Sequence, residues 1–164
     1  MSEELIGRFK DKTGREWIID LDVVTCRAIK KSHGVDLANY HDGNAHRVLW
    51  SDDEKLVNVL WDLVEAQAQR EGIDAESFGK SLNGDALAAA LDAIQAAVVG
   101  FTRPDRRELV RQIQAKASQI TAKMIAKAAA EISSERTDAR LDAALDKAVR
   151  KMGSEIDKAL TSGS

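Results

Sequence analysis

Three histidines and one cysteine are the side chains whose types could support metal binding or nucleophilic chemistry. His33, His41 and His46 lie within fourteen residues of one another, and Cys26 precedes them. Their intervals of eight and five residues do not place two imidazoles on one helical face, and no CxxC, HExxH or EF-hand pattern accompanies them. Cys26 and His33 are separated by about two helical turns, too far for a hydrogen bond. We therefore expect no metal site and no catalytic residue.

Phosphate-binding loops are also missing from the sequence. Neither GxGxxG nor GxxxxGK[ST] occurs, and Phe78-Gly79-Lys80-Ser81 retains only the last three residues of the second pattern, with no strand before it. The paired acids Asp52 and Asp53 suit the first turn of a helix, where they favour the helix dipole. We expect no cofactor and no enzymatic activity.

The basic side chains cluster around and after Pro104, the only proline. Arg103, Arg106, Arg107 and Arg111 are followed by three lysines at 116, 123 and 127. Nucleic acid is one partner for such a cluster, but it contains no aromatic side chain for base stacking and the whole chain is acidic. We therefore do not expect nucleic acid binding. An acidic protein surface and simple solvation of the charges remain the alternatives.

The charge of the chain is divided unequally between its two parts. Residues 1–100 contain 11 Lys and Arg against 18 Asp and Glu, giving −7, whereas residues 101–164 contain 13 against 9, giving +4; the sum is the net charge of −3. This division could steer an acidic partner to the C-terminal part or let copies of the chain associate. The unequal division of charge therefore makes a homo-oligomer one of the possible assemblies.

The elements that must position these residues begin with a β-hairpin. Leu5 to Lys10 and Glu16 to Asp22 flank a loop in which Gly14 can supply a positive φ. A hairpin is marginal alone, so we expect it to pack on helices. Asp22 is the expected N-cap of a helix that ends at His33, with Gly34 as its C-terminal glycine.

Helices follow a loop whose turn signal is Asp42-Gly43-Asn44. Ser51 and Glu54 have capping-box spacing, and the apolar residues from Leu56 to Ala68 follow the helical period, which predicts a long and largely buried helix. A short helix is expected after Asp74. Asp85 is the expected cap of another helix, which ends at Gly100, with Phe101 folding back on the core.

The segment after Pro104 contains no aromatic residue and predicts a helical arm. Its narrow apolar stripes depart from a strict heptad, and it forms either one long helix or two helices that meet at Ser133-Ser134. The fold class is therefore mainly α: a compact helical domain with an N-terminal hairpin over residues 1–103, then a long helical arm over residues 104–164. One stripe contains Leu109, Ile113, Ile120 and Met124; a second contains Leu141, Leu145, Met152, Ile156 and Leu160.

Composition also predicts where the protein works. One cysteine excludes an internal disulfide, and the first 30 residues carry charges throughout, without the apolar region of a signal peptide. The longest purely apolar stretch is the six residues from Ala86 to Leu91. We expect a soluble, cytosolic protein with no membrane partner.

The order of motifs resembles the small tail assembly chaperones of long-tailed bacteriophages. The resemblance covers residues 8 to 111 and contains no invariant catalytic signature. It rests on Phe9-Lys10-Asp11, Thr13-Gly14-Arg15-Glu16-Trp17, Asp20-Leu21-Asp22, Ile29-Lys30-Lys31, Gly34-Val35-Asp36-Leu37, Leu56-Val57-Asn58-Val59-Leu60-Trp61, Glu65-Ala66-Gln67, Phe78-Gly79-Lys80-Ser81-Leu82, Gly84-Asp85-Ala86 and the arginines after Phe101.

This resemblance implies a non-enzymatic protein of the bacterial host cytoplasm that binds the tape measure protein and helps tail-tube protein subunits assemble around it. The arm departs from the family and would be either its variable tail or a frameshift extension. The alternative function is a structural virion component, a small tail or connector protein that stays in the particle. The residues expected to bind the partner are Arg106, Arg107, Arg111, Ile113, Ile120 and Met124.

Overall fold

The structure is a computed structural model that describes residues 6–42, 44–133 and 135–163. Within them a two-stranded antiparallel hairpin precedes seven α-helices, which confirms the mainly α fold class. The elements are β1 (Gly7–Lys10), β2 (Glu16–Ile19), α1 (Val23–His33), α2 (Ala45–Ser51), α3 (Asp53–Arg70), α4 (Ala75–Lys80), α5 (Gly84–Phe101), α6 (Arg107–Ile132) and α7 (Glu135–Thr161). Four residues of predicted elements lie outside the described residues. They are Leu5 in the first strand, Gly43 in the turn signal, Ser134 at the helix junction and Ser164 at the C-terminal end.

The hairpin forms where its alternating pattern predicts it. Phe9 pairs with Trp17 across the two strands, and both side chains are buried on the face that meets the helices. Gly14 adopts φ 86° in the connecting loop, a conformation that favours glycine. The expectation that the hairpin packs on helices is confirmed, because β1 packs along α5 and β2 packs on α3.

Helix α1 begins and ends at the residues that the sequence predicts. The side chain of Asp22 accepts a hydrogen bond from the Thr25 amide at 2.7 Å, which satisfies one of the free donors of the first turn. Gly34 follows the helix with φ 69°, and its amide donates to Lys30 O. These contacts fix both ends of α1.

Helix α3 is central, as predicted, but its cap differs. Asp52, not Ser51, is the N-cap, and its carboxylate accepts from the Lys55 amide at 2.9 Å. Ser51 instead ends α2, where its hydroxyl donates to Arg47 O at 2.8 Å. The capping-box prediction was wrong by one residue, because a carboxylate next to the serine takes the same role. The residues buried on α3 are Leu56, Val59, Leu60, Val64 and Ala68.

Helices α4 and α5 complete the compact part of the chain. The short helix expected after Asp74 forms as α4, with Asp74 as its N-cap. Asn83, rather than Asp85, caps α5 by accepting from the Ala86 amide at 2.9 Å. Asp85 lies in the first turn of α5 instead. Phe78 of α4 joins the aromatic core, with its ring 5.0 Å from Trp17 and 5.7 Å from Trp61 between centroids. Phe101 packs on the core, as expected, but it is the last residue of α5, so the helix does not end at Gly100 as predicted.

The chain forms two compact units, the first extending to Lys116 and the second covering 117–164. The sequence predicts that the compact domain ends at residue 103. The first unit extends further because the first turns of α6 pack against it. Val110 packs against the core, and the Gln114 side chain donates to Gln95 O at 2.9 Å. In the second unit, helical structure stops at Ile132 and resumes at Glu135, so two helices form rather than one.

Candidate partner-binding site

The junction between α5 and α6 is built around Arg107. Its guanidinium donates from Nε to Thr102 O at 3.0 Å and from Nη2 to Gly100 O at 3.3 Å. These carbonyls lie at the C-terminal end of α5, where backbone acceptors lack helical partners and a cation is favoured. The Thr102 hydroxyl donates to Val98 O at 2.7 Å. Arg107 therefore holds the connection between the two helices.

A groove of about 380 Å³ lies in the first unit beside this junction. The end of α5 and the start of α6 form one wall, and the segment before α2 forms the other. Its polar lining includes Asn39, His41, Asp42, Thr102 and Arg106, and its apolar lining includes Val98, Leu109, Val110 and Ile113. The groove thus combines apolar side chains with charged side chains of both signs, Asp42 and Arg106.

The six residues predicted to bind a partner have different environments. Arg106 and Ile113 line the groove, whereas Arg107 is committed to backbone carbonyls. Arg111 is exposed and reaches Glu108 at 4.0 Å, a separation at which an exposed ion pair adds little stability. In the second unit, Ile120 and Met124 are 50% and 65% exposed.

Leu109, His41 and Asp42 belong to the groove but were not among the predicted site residues. Leu109 lies in the same apolar stripe as Ile113, so its spacing was the available signal. His41 and Asp42 come from a loop more than 60 residues earlier. Only the packing of that loop beside α6 brings the two residues to the groove, and no local sequence pattern predicts this packing.

His41 belongs to a compact aromatic cluster. Its ring lies 4.9 Å from Tyr40 and 5.9 Å from His46, measured between centroids. His46 Nδ1 is 3.2 Å from the Tyr40 hydroxyl. His41 Nε2 is buried and makes no hydrogen bond within the described part of the chain. The cluster favours neutral imidazoles over charged ones.

The pKa values of both histidines are lowered for this reason. Burial lowers the pKa of His46, and burial together with His46 lowers that of His41 against the opposing effect of Asp42. In the unfolded chain these groups take up protons first as the pH falls, so stability is complete above about pH 6.5 and decreases below it. We expect the urea midpoint to fall between pH 7.5 and pH 5.5.

Substitution of both histidines tests this pH dependence. His41→Asn with His46→Asn removes the groups that titrate, so its midpoint should change less than that of the wild type over the same pH interval. The comparison concerns the change with pH, because the variant starts from a lower stability. Equal losses in the two proteins would contradict the assignment.

The Cys26 environment does not favour nucleophilic chemistry. Burial, then the charges of Asp22 and Asp36, raises the pKa of Cys26 to about 11, so the thiol is protonated at neutral pH and is a poor nucleophile. His33 Nε2 lies 2.7 Å from Asp62 Oδ2 on α3. No cluster of three or more metal-ligating His, Cys, Asp or Glu side chains occurs among the residues that the structure describes.

No protein family model, curated protein or solved structure matches the chain. Within the described ranges, α5 alone has the length and apolar composition of a membrane-spanning helix. Seven of its residues are nevertheless buried in the protein, and core helices commonly have this composition.

Proposed function

We propose that this chain is a non-enzymatic tail assembly chaperone of the phage type that binds a helical partner along α6. The observation that supports this proposal is the groove between the end of α5, the start of α6 and the His41 loop, with Leu109 and Ile113 in its apolar part. An amphipathic partner helix buries its apolar side in such a groove and leaves its polar side in water.

Exposed apolar side chains continue along α6 beyond the groove. Leu109, Ile120 and Met124 are 58%, 50% and 65% exposed, and Ile113 is 37% exposed. Exposed large apolar side chains that recur on one helix face are a feature of interaction sites. Each unit therefore exposes apolar surface that a partner helix can bury.

The charges around this surface favour an acidic partner segment. Arg106 lies at the groove, and Arg111 lies two residues before Ile113. Such peripheral charges set the association rate and the register more than the affinity. The resemblance of the N-terminal part to tail assembly chaperones identifies the partner that we propose: the tape measure protein, with tail-tube protein assembling around it in the bacterial cytoplasm. The proposal involves no cofactor, membrane or nucleic acid.

A pull-down with the tape measure protein encoded in the same genome tests the apolar surface. The variant Ile113→Asp/Ile120→Asp/Met124→Asp should lose binding while the core stays folded. Its matched control is Ala115→Asp/Ala122→Asp/Ala126→Asp, which has the same spacing and charge on exposed positions of the opposite face of α6. The control should bind as the wild type does.

A second variant tests the charges without disturbing the junction. Arg106→Glu/Arg111→Glu spares Arg107, whose loss would release Gly100 O and Thr102 O. We expect slower association and weaker salt dependence. Failure of the wild type to bind, or equal binding by the apolar variant and its control, would contradict the proposal. Mass spectrometry of purified particles separates a departing chaperone from a retained virion component.

A further inference from the structure

The side chain of His41 belongs to two features of the first unit at once. Its ring packs against the rings of Tyr40 and His46 in the aromatic cluster. The same side chain lines the groove beside α6, where Leu109 and Ile113 form part of the other wall. A change in the position of the His41 ring therefore changes the cluster and the groove together.

The aromatic cluster accommodates a neutral His41 but not a charged one. A protonated imidazole donates a hydrogen bond from each of its two ring nitrogens. His41 Nε2 is buried and has no acceptor within the described part of the chain, so the charged ring would bury a cationic donor without a partner. Such a donor costs more free energy than a neutral one. Water would accept the hydrogen bond if the ring lay outside the cluster.

Charged and titratable groups surround His41 from each neighbouring element. Asp42 follows it in the chain and favours the charged ring, whereas His46 on α2 disfavours it, since two charged rings with centroids 5.9 Å apart repel each other. Arg106 of α6 lines the same groove, and Asp92 of α5 acts on the buried phenol of the preceding tyrosine. Burial is the largest influence, and with His46 it outweighs Asp42, so the pKa of His41 is lowered.

The neighbours of His41 are anchored, so its ring can move without them. Tyr40 and Ala45 are buried in the core, and the His46 amide donates to Tyr40 O at 3.3 Å. The His41 side chain is itself only partly buried, so solvent is adjacent to it. Rotation about its own side-chain bonds is sufficient to take the ring out of the cluster.

We propose that His41 is a pH-sensitive switch of the groove: protonation turns its ring out of the aromatic cluster and removes it from the wall that faces α6. The switch is a property of the free chain. Its consequence for a bound partner helix is a weaker complex at acid pH, because the groove then lacks part of its wall. Only this consequence rests on the proposed function, so the switch and the proposed function can fail separately.

An NMR titration of the full chain from about pH 7.5 to about pH 4.5 tests the switch. The His41 ring should titrate with a midpoint below the ordinary value of about 6.5. The δ1 methyl group of Ile113 should shift with the same midpoint, because an aromatic ring leaves its surroundings. The methyl group of Ile120, on the same helix but in the second unit, should not follow it. The buried Ile29 reports whether the core stays folded.

Two histidine variants separate the switch from a general effect of acid. His41→Phe keeps an aromatic ring in the cluster and removes the titrating group, so the Ile113 shift should disappear. The matched control is His33→Gln, which removes a histidine that contacts Asp62 of α3. In this control the Ile113 methyl group should shift with pH as it does in the wild type.

Each outcome decides the proposal. A common midpoint for His41 and Ile113 that is lost in His41→Phe and retained in His33→Gln would support it. An Ile113 methyl group that does not follow His41, or that still shifts in His41→Phe, would overturn it. Simultaneous shifts of Ile113 and Ile29 would overturn it as well, because they would indicate unfolding of the whole unit. So would a His41 ring that does not titrate in this range.

Discussion

Replacement of Gly7 by alanine should destabilise the first unit by about 2 to 3 kcal/mol. A Cβ atom at this position would lie inside contact distance of the Ala93 carbonyl oxygen and 2.7 Å from its carbonyl carbon. Both atoms belong to the backbone of α5, so no side chain can rotate away. Strand β1 would have to move off the helix, and the buried Phe9 would move with it.

Gly79→Ala is the matched control for this prediction. Gly79 lies in α4, has open space around its Cβ position and has no positive φ. Alanine in a helix is more favourable than glycine by about 0.5 to 1 kcal/mol, so the control should be neutral or slightly stabilising. Urea denaturation followed by far-UV circular dichroism measures both. Similar free energies of unfolding for the two variants would contradict the close approach of β1 to α5.

Gly7 illustrates what the sequence could and could not predict about the fold. The hairpin, the Asp22 cap and the Gly34 end of α1 follow from local chemistry, and a sequence pattern is sufficient for them. The role of Gly7 depends on α5, more than 80 residues away, and no local pattern contains that contact. The caps at Asp52 and Asn83 were missed because neighbouring polar residues could serve the same role, and only backbone geometry selects between them.

The candidate site shows the same limit. Spacing identified Ile113, Ile120 and Met124 as an apolar row, and their exposure agrees with a surface role. Charge alone grouped Arg107 with the other arginines, yet its guanidinium binds the end of α5. The separation of these roles requires the position of each carbonyl in three dimensions. The break after Ile132 was likewise one of two alternatives that periodicity left open.

Asp11 is the polar centre of the hairpin. It is 5% exposed, and its carboxylate accepts four hydrogen bonds. Oδ1 accepts from the Thr13 hydroxyl at 2.6 Å, the Thr13 amide at 2.9 Å and the Arg15 amide at 3.2 Å, while Oδ2 accepts from Trp17 Nε1 at 2.9 Å. Burial raises the pKa of Asp11, but these hydrogen bonds outweigh it and hold the pKa below its usual range.

Asp11→Ala should therefore destabilise the first unit by about 3 kcal/mol, since a buried donor left without an acceptor costs about 1 to 3 kcal/mol. Trp17 is fully buried, so its indole NH would lose its acceptor where water does not replace it. The loop would also lose the acceptor that connects Thr13 and Arg15. Urea denaturation at neutral pH measures the loss.

The control is Asp20→Ala, which removes an exposed carboxylate just after the same hairpin and should change stability little. The pH dependence gives a second measurement. Because the folded pKa of Asp11 lies below the unfolded value, its stabilisation is complete above about pH 4 and is lost as the pH falls further. Asp11→Ala should lose less stability than the wild type over that acid range. Equal stability of Asp11→Ala and Asp20→Ala at neutral pH would contradict the prediction. It would mean that the hydrogen bonds of Asp11 to Trp17 and to the loop do not stabilise the first unit.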